Sequence, residues 1–512
     1  MADPFYITTA ISYPNGPPHI GHAYEAIATD AVARFQRLQG RDVFFLTGTD
    51  EHGLKMAQAA REKGVEPAAL ADEMSSLFRK MDERFNISFD RFIRTTEPGH
   101  HAASRAIWQA MADKGDLYLG RYEGWYSVRD EAYYDEKELV TAGSGEQVSP
   151  QGTPVEWTVE ESWFFRLSAY QGRLLEHYRA HPGFIRPEAR RNEVMRFVEG
   201  GLSDLSISRT SFDWGVKVPG SERHVMYVWL DALTNYLTGV GYPQDTEAYR
   251  RYWPADIHII GKDVLRFHCV YWPAFLMSAG VELPRQVFAH GHVLHRGEKM
   301  SKSVGNVVDP HELADAFGVD PLRYFLLREV PFGQDGSYSA EAIVTRCNAD
   351  LANGLGNLAQ RSLSMIAKNC GGRVPPKEEF TVEDEKLLLD IECERLAAAK
   401  AMETLAVNRA IERIWSGVSA ANVYFAEQAP WAVRKADPAR ADTILYAAAE
   451  AVRRLAILCR WITPASAGRL LDQLGQPADA RDFAHLGRWL EPGLELPSPQ
   501  GVFPRLEAPA EP

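Results

Sequence analysis

The apolar run at residues 5–11 is rich in β-branched and aromatic residues, the mark of a buried strand. It ends in Ser12-Tyr13-Pro14-Asn15-Gly16-Pro17-Pro18, where neither helix nor central strand continues through such a spacing of Pro and Gly, so the chain turns in a loop. At residues 19–38 apolar side chains recur at helical spacing until Gly40 stops them, and residues 42–47 are strand-like again. Strand, loop, helix, strand is a parallel crossover unit, which needs helices on both sheet faces. This one segment commits the chain to an α/β, Rossmann-like doubly wound sheet. Ligands of such sheets bind at the carboxyl ends of the strands, so the loop from Tyr13 to His19 and the loop with Asp50 belong to the site.

The pattern returns as strand, helix and strand at residues 256–261, 264–278 and 286–292. Residues 1–114 and 226–305 are therefore the two halves of one sheet domain, and the aromatic, charged and turn-rich residues 115–225 an inserted lobe. Residues 306–345 form a linker. Residues 346–465, with long helical patterns at 351–368, 383–418 and 442–462, are an α-helical bundle. The tail, 466–512, is rich in Pro, Ala and Gly and is assigned little fold.

Composition excludes other classes. A chain of 512 residues that is 45% hydrophobic can support roughly two to four cores. No stretch of about twenty apolar residues implies a membrane span, and no basic region followed by an apolar core implies secretion. Five scattered cysteines without a CxxC pair read as reduced, structural thiols. A soluble cytoplasmic protein is expected. The net charge of −13 argues only weakly against an RNA partner, because repulsion is screened within about 8–10 Å. A local basic face, such as Arg186, Arg190, Arg191 and Arg196, matters more, though it reads equally as a solvated helix face.

Two short clusters carry the chemistry: His19-Ile20-Gly21-His22, and Lys299-Met300-Ser301-Lys302-Ser303 between Gly297 and Gly305. Taken singly, the histidines are ordinary caps or core residues and the lysines ordinary surface residues. Jointly, on the two halves of one sheet, they suit a nucleotide triphosphate. His19 and His22 share a face at the positive end of a helix, and Gly21 lets a ligand approach the backbone. Lys299 and Lys302 are point charges in a loop that can close over leaving pyrophosphate.

On these motifs the chain resembles the class I aminoacyl-tRNA synthetases, matching their HIGH and KMSKS motifs in full, and among them the methionyl-tRNA synthetase family. The resemblance runs to about residue 465. The insertion is too short for the editing domain of leucine, isoleucine or valine enzymes. No cysteine precedes Cys269, so a cysteine enzyme's thiolate-bound zinc has no ligands in the first half.

The resemblance implies the residue roles. His19, His22, Lys299 and Lys302 are catalytic; Gly21, Asp263, Ser301 and both lysines bind ATP, with Asp263 facing the ribose. The segment Ala10-Ile11-Ser12-Tyr13-Pro14 gives Ile11 and Tyr13 to the methionine pocket, and Thr47-Gly48-Thr49-Asp50 gives Asp50 to the substrate ammonium. Trp229, Ala232, Leu233 and Tyr236 form its wall, and Val264 and His268 approach the side chain. Outside the family context Trp229 and Tyr236 are plain core, Asp50 a turn residue and His268 a satisfied core histidine. In the helical region Asn357, Arg361 and Trp431 match positions that read a CAU anticodon, stacking and splayed bases being the usual means of RNA readout. The 306–345 linker takes the stem-contact role.

One departure concerns a metal. Many relatives hold zinc on cysteine pairs in the inserted lobe, but Ser127, Asp130 and Ser149 stand where those cysteines would be. Serine is a poor zinc ligand. No structural zinc is expected, with packing by Trp125, Tyr133 and Tyr134 in its place. The remaining expectations are L-methionine, Mg2+-bound ATP and methionine tRNA as ligands, no membrane, and a monomer, since the dimerising extension of some relatives is missing. The rival readings are a non-catalytic tRNA-binding paralogue and a nucleotidylyltransferase of a small acid.

Overall fold

The computed structural model describes residues 2–143, 145–295, 297 and 308–507. Six strands, β1 (Pro4–Thr8), β2 (Asp42–Thr49), β3 (Arg91–Arg94), β4 (Ile185–Arg186), β5 (Ile257–Gly261) and β6 (Val287–His290), form one sheet in the order β3-β2-β1-β5-β6-β4. Every pairing in it is parallel. From the β1–β5 pair the strands run β1, β2, β3 on one side and β5, β6 on the other, with β4 added at the far edge, so successive connections diverge there and open a cleft at the carboxyl ends.

Residues 5–11 were expected as one strand, but regular pairing ends at Thr8. Beyond it Thr9 N–H donates to Leu46 O on one side (3.2 Å) and Ala10 N–H to Ile259 O on the other (2.8 Å). The chain therefore leaves the sheet between its two neighbours, at the mouth of the cleft. Helix α1 (Ile20–Leu38) follows and buries Ala23, Ile27, Ala31 and Phe35.

The helix expected at 264–278 is not regular. A short 3-10 turn at Lys262–Val264 precedes a π turn at Phe267–Tyr271, and the regular α-helix is Trp272–Ala279. Pro273 explains the wide turn: it has no N–H to donate to Cys269 O, which accepts the Tyr178 hydroxyl instead.

The inserted lobe carries an antiparallel sheet built on Leu117–Ser127 and Glu156–Phe165. It is less separate than its composition suggests, because β4, from the same insertion, pairs with β6 and completes the catalytic sheet.

In the helical region the pattern at 383–418 is two helices, Val382–Met402 and Val407–Gln428, broken where Leu405 takes φ +55. The tail assigned little fold is an ordered cap on the bundle. Helix Pro464–Gln473 opens it, Leu490, Val502 and Phe503 are buried, and Tyr446 donates its hydroxyl to Leu490 O at 2.7 Å. Spaced apolar residues among Pro and Gly dock on a neighbouring surface without any period of their own. The bundle is fastened to α1 by Arg323, whose fully buried guanidinium reaches Asp30 Oδ2 (2.6 Å), Phe85 O (3.0 Å) and Ile462 O (3.1 Å). No helix among the described residues is long and apolar enough to cross a membrane.

Candidate active site

A cleft of about 430 Å³ lies at the divergence of β1 and β5. It is lined by Ile11, Tyr13, His19, Gly21, His22, Asp50, Trp229, Ala232, Leu233, Tyr236, Asp263, Val264 and His268, so every described candidate on the catalytic sheet faces one space. Lys299, Ser301 and Lys302 lie outside the described residues. The chain just before them, Gly291, His292 and Val293, lines the cleft.

The start of α1 is built from its own histidines. His19 is the N-cap, and its Nδ1 accepts from Gly21 N–H at 3.1 Å; His22 Nδ1 accepts from His19 N–H, also at 3.1 Å. The rings stack with centroids 3.8 Å apart. With each Nδ1 an acceptor, the proton of each neutral ring sits on Nε2, the form that donates to a phosphate oxygen. Gly21 has a second reason to be glycine: a Cβ there would come within 2.9 Å of the His19 ring.

Asp50 follows β2. It is 5% exposed and its Oδ1 has no hydrogen-bond partner. Burial, then the charges of Asp231 and Glu131, push its pKa well above the usual carboxylate range. A buried, orphaned carboxylate oxygen in an open cleft is a receptor for a cation. Asp231, on helix α2 (Val228–Thr238), is the opposite case. Burial alone would raise it, but His52 Nδ1 (2.6 Å) and His100 Nε2 (2.7 Å) hold its pKa far below the usual range. Tyr13 seals the Asp50 loop by donating to His52 O at 2.7 Å, and Lys55 sits 5.0 Å from the Tyr13 ring centroid.

The far wall is aromatic. Trp229 stacks on Phe267 at 3.8 Å. Tyr236 donates its hydroxyl to His268 Nε2 at 2.7 Å, while His268 Nδ1–H donates to Val264 O at 3.0 Å. Both ring nitrogens are thus satisfied in the neutral form, and burial lowers the His268 pKa to about 4. At the opposite end His292 Nε2 is 2.8 Å from Asp263 Oδ2, and His290 Nε2 is 2.8 Å from Glu25 Oε2.

Sequence reasoning missed Phe267, Lys55, His290, His292 and Glu131. Phe267 adjoins His268 and was within reach of the same motif. Glu131 gave no local signal, because its place in the cleft depends on how the lobe docks.

In the helical region Asn357 opens the helix Asn357–Asn369 and is exposed. Arg361, one turn on, lies over the Trp431 ring (5.2 Å) and the Phe425 ring (5.1 Å), and the two rings meet edge to face at 5.8 Å. Trp431 is 44% exposed, so one side of this aromatic–guanidinium cluster is open to solvent. Phe425 completes the cluster and was not foreseen.

The candidate zinc positions are filled otherwise than expected. Trp125 does pack on Trp157 (5.3 Å) and Tyr133 on Tyr126 (5.0 Å), but the centre is polar: Ser149, Thr153 and Tyr134 all donate to the Asp130 carboxylate. One carboxylate with three hydroxyls is not a zinc-binding donor set.

The family described as tRNA synthetases class I (M) matches residues 5–363, and the anticodon binding domain of methionyl tRNA ligase matches residues 374–510. The methionine--tRNA ligase of Brucella suis biovar 1 (strain 1330) is 62% identical, over 98% of each chain. The structure of Mycobacterium tuberculosis methionyl-tRNA synthetase in complex with methionyl-adenylate superposes with a TM-score of 0.96 at 60% identity, covering 98% of this chain and 100% of that one. The free-state structure of the Mycobacterium tuberculosis protein gives a TM-score of 0.90 at 56% identity, covering 99% of each.

Proposed function

The chain belongs to the methionyl-tRNA ligase family of class I tRNA synthetases, and we propose that its cleft carries out both steps of methionine transfer through the residues described above. Methionine binds with its ammonium on Asp50 and its thioether between Trp229, Tyr236 and His268. Sulfur–aromatic contacts contribute about 0.3–1.5 kcal/mol, and the neutral form of His268 suits an apolar side chain. Size selection is worth roughly 1–3 kcal/mol per methylene, so a near-isostere such as homocysteine should leak through.

ATP enters as its Mg2+ complex, the ion travelling on the phosphates. Ribose lies against Asp263 and phosphate against the Nε2–H groups of His19 and His22, with Lys299 and Lys302 supplying the charge that meets leaving pyrophosphate and Ser301 a hydroxyl donor. The methionine carboxylate attacks the α-phosphorus in line, the bond to pyrophosphate breaks, and methionyl-adenylate forms. The terminal adenosine of methionine tRNA then takes the methionyl group, at the 2'-hydroxyl by class, and AMP leaves. Positioning and charge stabilisation carry the rate, without a covalent enzyme intermediate. Asn357, Arg361 and Trp431 hold the CAU anticodon. A monomer working in the cytoplasm completes the reading.

The single observation that carries it is the buried, unpartnered Asp50 oxygen in the same cleft as the histidine pair. ATP–pyrophosphate exchange with each standard amino acid tests it. Methionine alone should support exchange, and charging should require a CAU anticodon; exchange driven equally by leucine or isoleucine rejects the assignment.

A further inference from the structure

Four residues of the inserted lobe, Arg129, Asp130, Glu131 and Gln151, line the cleft, and of these Glu131 is the buried one. Glu131 is 3% exposed and is one of four non-glycine residues with positive φ among those described (φ +50). A side chain held in the left-handed region needs surroundings that enforce it.

Its contacts run in three directions. Oε1 accepts from Lys55 N–H (3.2 Å) in the first turn of the helix Leu54–Lys63, whose N-cap, Gly53, has no side chain to offer. Oε2 accepts the hydroxyl of Tyr126, from the lobe. Its carbonyl accepts the hydroxyl of Tyr227 at 2.7 Å, immediately before α2 and Trp229. A Cβ on Gly53 would meet Tyr13 Oη at 2.9 Å, Glu131 Oε1 at 3.3 Å and Val228 Cγ2 at 3.4 Å, so three pocket walls converge on the backbone just after Asp50.

The residue before Glu131 is itself anchored in the lobe. Ser149 Oγ (2.7 Å), Thr153 Oγ1 (2.6 Å) and the Tyr134 hydroxyl (2.9 Å) donate to Asp130 Oδ2, Ser127 Oγ lies 2.8 Å from Thr153 Oγ1, and Asp130 N–H donates to Ser127 Oγ at 3.3 Å. Ser127, Ser149 and Thr153 are all buried. Two loops of the lobe are thereby joined at one carboxylate.

We propose that this hydroxyl–carboxylate cluster is the fastener of the lobe, and that it acts on catalysis by holding Glu131 as a clamp on the methionine pocket. Glu131 is a positioning residue: it caps the helix behind Asp50 and braces the start of α2. The proposal rests on the reading that methionine binds at Asp50.

The test is exchange kinetics of the full chain with Thr153→Val, Thr153→Ser, Glu131→Ala, the Thr153→Val/Glu131→Ala pair and Asp50→Asn. Thr153→Val keeps the shape and removes the hydroxyl. It should raise KM for methionine by about tenfold, the scale of one buried hydrogen bond to a charged group, and leave KM for ATP within about twofold. Thr153→Ser should return both constants to those of the parent. Glu131→Ala should show the same methionine-specific rise, and the pair little more than either alone.

A Thr153→Val protein that alters both constants equally, or neither, overturns the clamp, as do effects that multiply in the pair. Should Thr153→Val fail to fold, Ser149→Ala replaces it with the same expected split. If Asp50→Asn retains methionine exchange, the pocket reading itself fails; if Asp50→Asn abolishes exchange while Thr153→Val is silent, only the clamp does.

Discussion

Replacing Asp50 by Asn should disable methionine binding and stabilise the fold at once. Removing one partner of a buried, hydrogen-bonded charge pair costs about 2–5 kcal/mol, so kcat/KM for methionine should fall roughly 30-fold to several thousand-fold. The stability effect has the other sign. Burial and the charges of Asp231 and Glu131 raise the Asp50 pKa in the fold above its unfolded value. The native state therefore binds a proton that the unfolded chain releases, and stability is lost as pH rises from the ordinary carboxylate range through the raised value. Asn carries no such charge. The variant should melt at a higher temperature than the parent near neutral pH, and the difference should vanish at about pH 3, below the unfolded value of about 3.9, where both states of the parent hold the proton. Saturating methionine should raise the parent's melting temperature and leave the variant's unchanged. Exchange kinetics and thermal melts at the two pH values measure this. A variant that melts lower, or that keeps kcat/KM for methionine within about threefold of the parent, rules out this role for Asp50.

His22→Ala should slow exchange by about 10²–10³-fold. The lost helix cap costs only about 1 kcal/mol, so an equal exchange rate, or a large drop in melting temperature, counts against the catalytic role. Lys302→Ala should slow exchange comparably. Trp431→Ala should raise KM for tRNA by the roughly 1–3 kcal/mol of one stacked base and leave tRNA-free exchange intact; loss of exchange would mark Trp431 as structural. Burial lowers the His268 pKa to about 4, against about 6.5 unfolded. The unfolded chain gains protons that the fold refuses, so stability should decline as pH falls through this window, less steeply in His268→Gln; identical urea midpoints between the two proteins across it would contradict the assignment.

The sheet and the cleft were legible because they rest on local signals. The Pro- and Gly-rich loop after β1 and the helical period after His19 give a crossover unit, and the crossover unit fixes where ligands bind. What stayed hidden depends on contacts distant in sequence. The tail has no period, yet Val502 and Phe503 are buried in the bundle core. Pro273 stood in plain view, but its π turn required knowing that Tyr178 would take the orphaned Cys269 carbonyl. Strand β4 has two residues and reads as part of the lobe until its partner in β6 is known. In the site, Trp229 and Tyr236 were placed by motif, whereas Glu131 becomes visible only once the lobe is folded onto Gly53. Asn357 and Arg361 share a face by helical spacing, but Phe425 beneath Arg361 comes from another helix.

The most direct measurement is a crystal structure of this protein with a stable methionyl-adenylate analogue. The ammonium nitrogen should lie about 3 Å from Asp50 Oδ1, the thioether between Trp229, Tyr236 and His268, and the phosphate against His19 and His22. An ammonium lodged away from Asp50, or a thioether outside that aromatic wall, would contradict this placement.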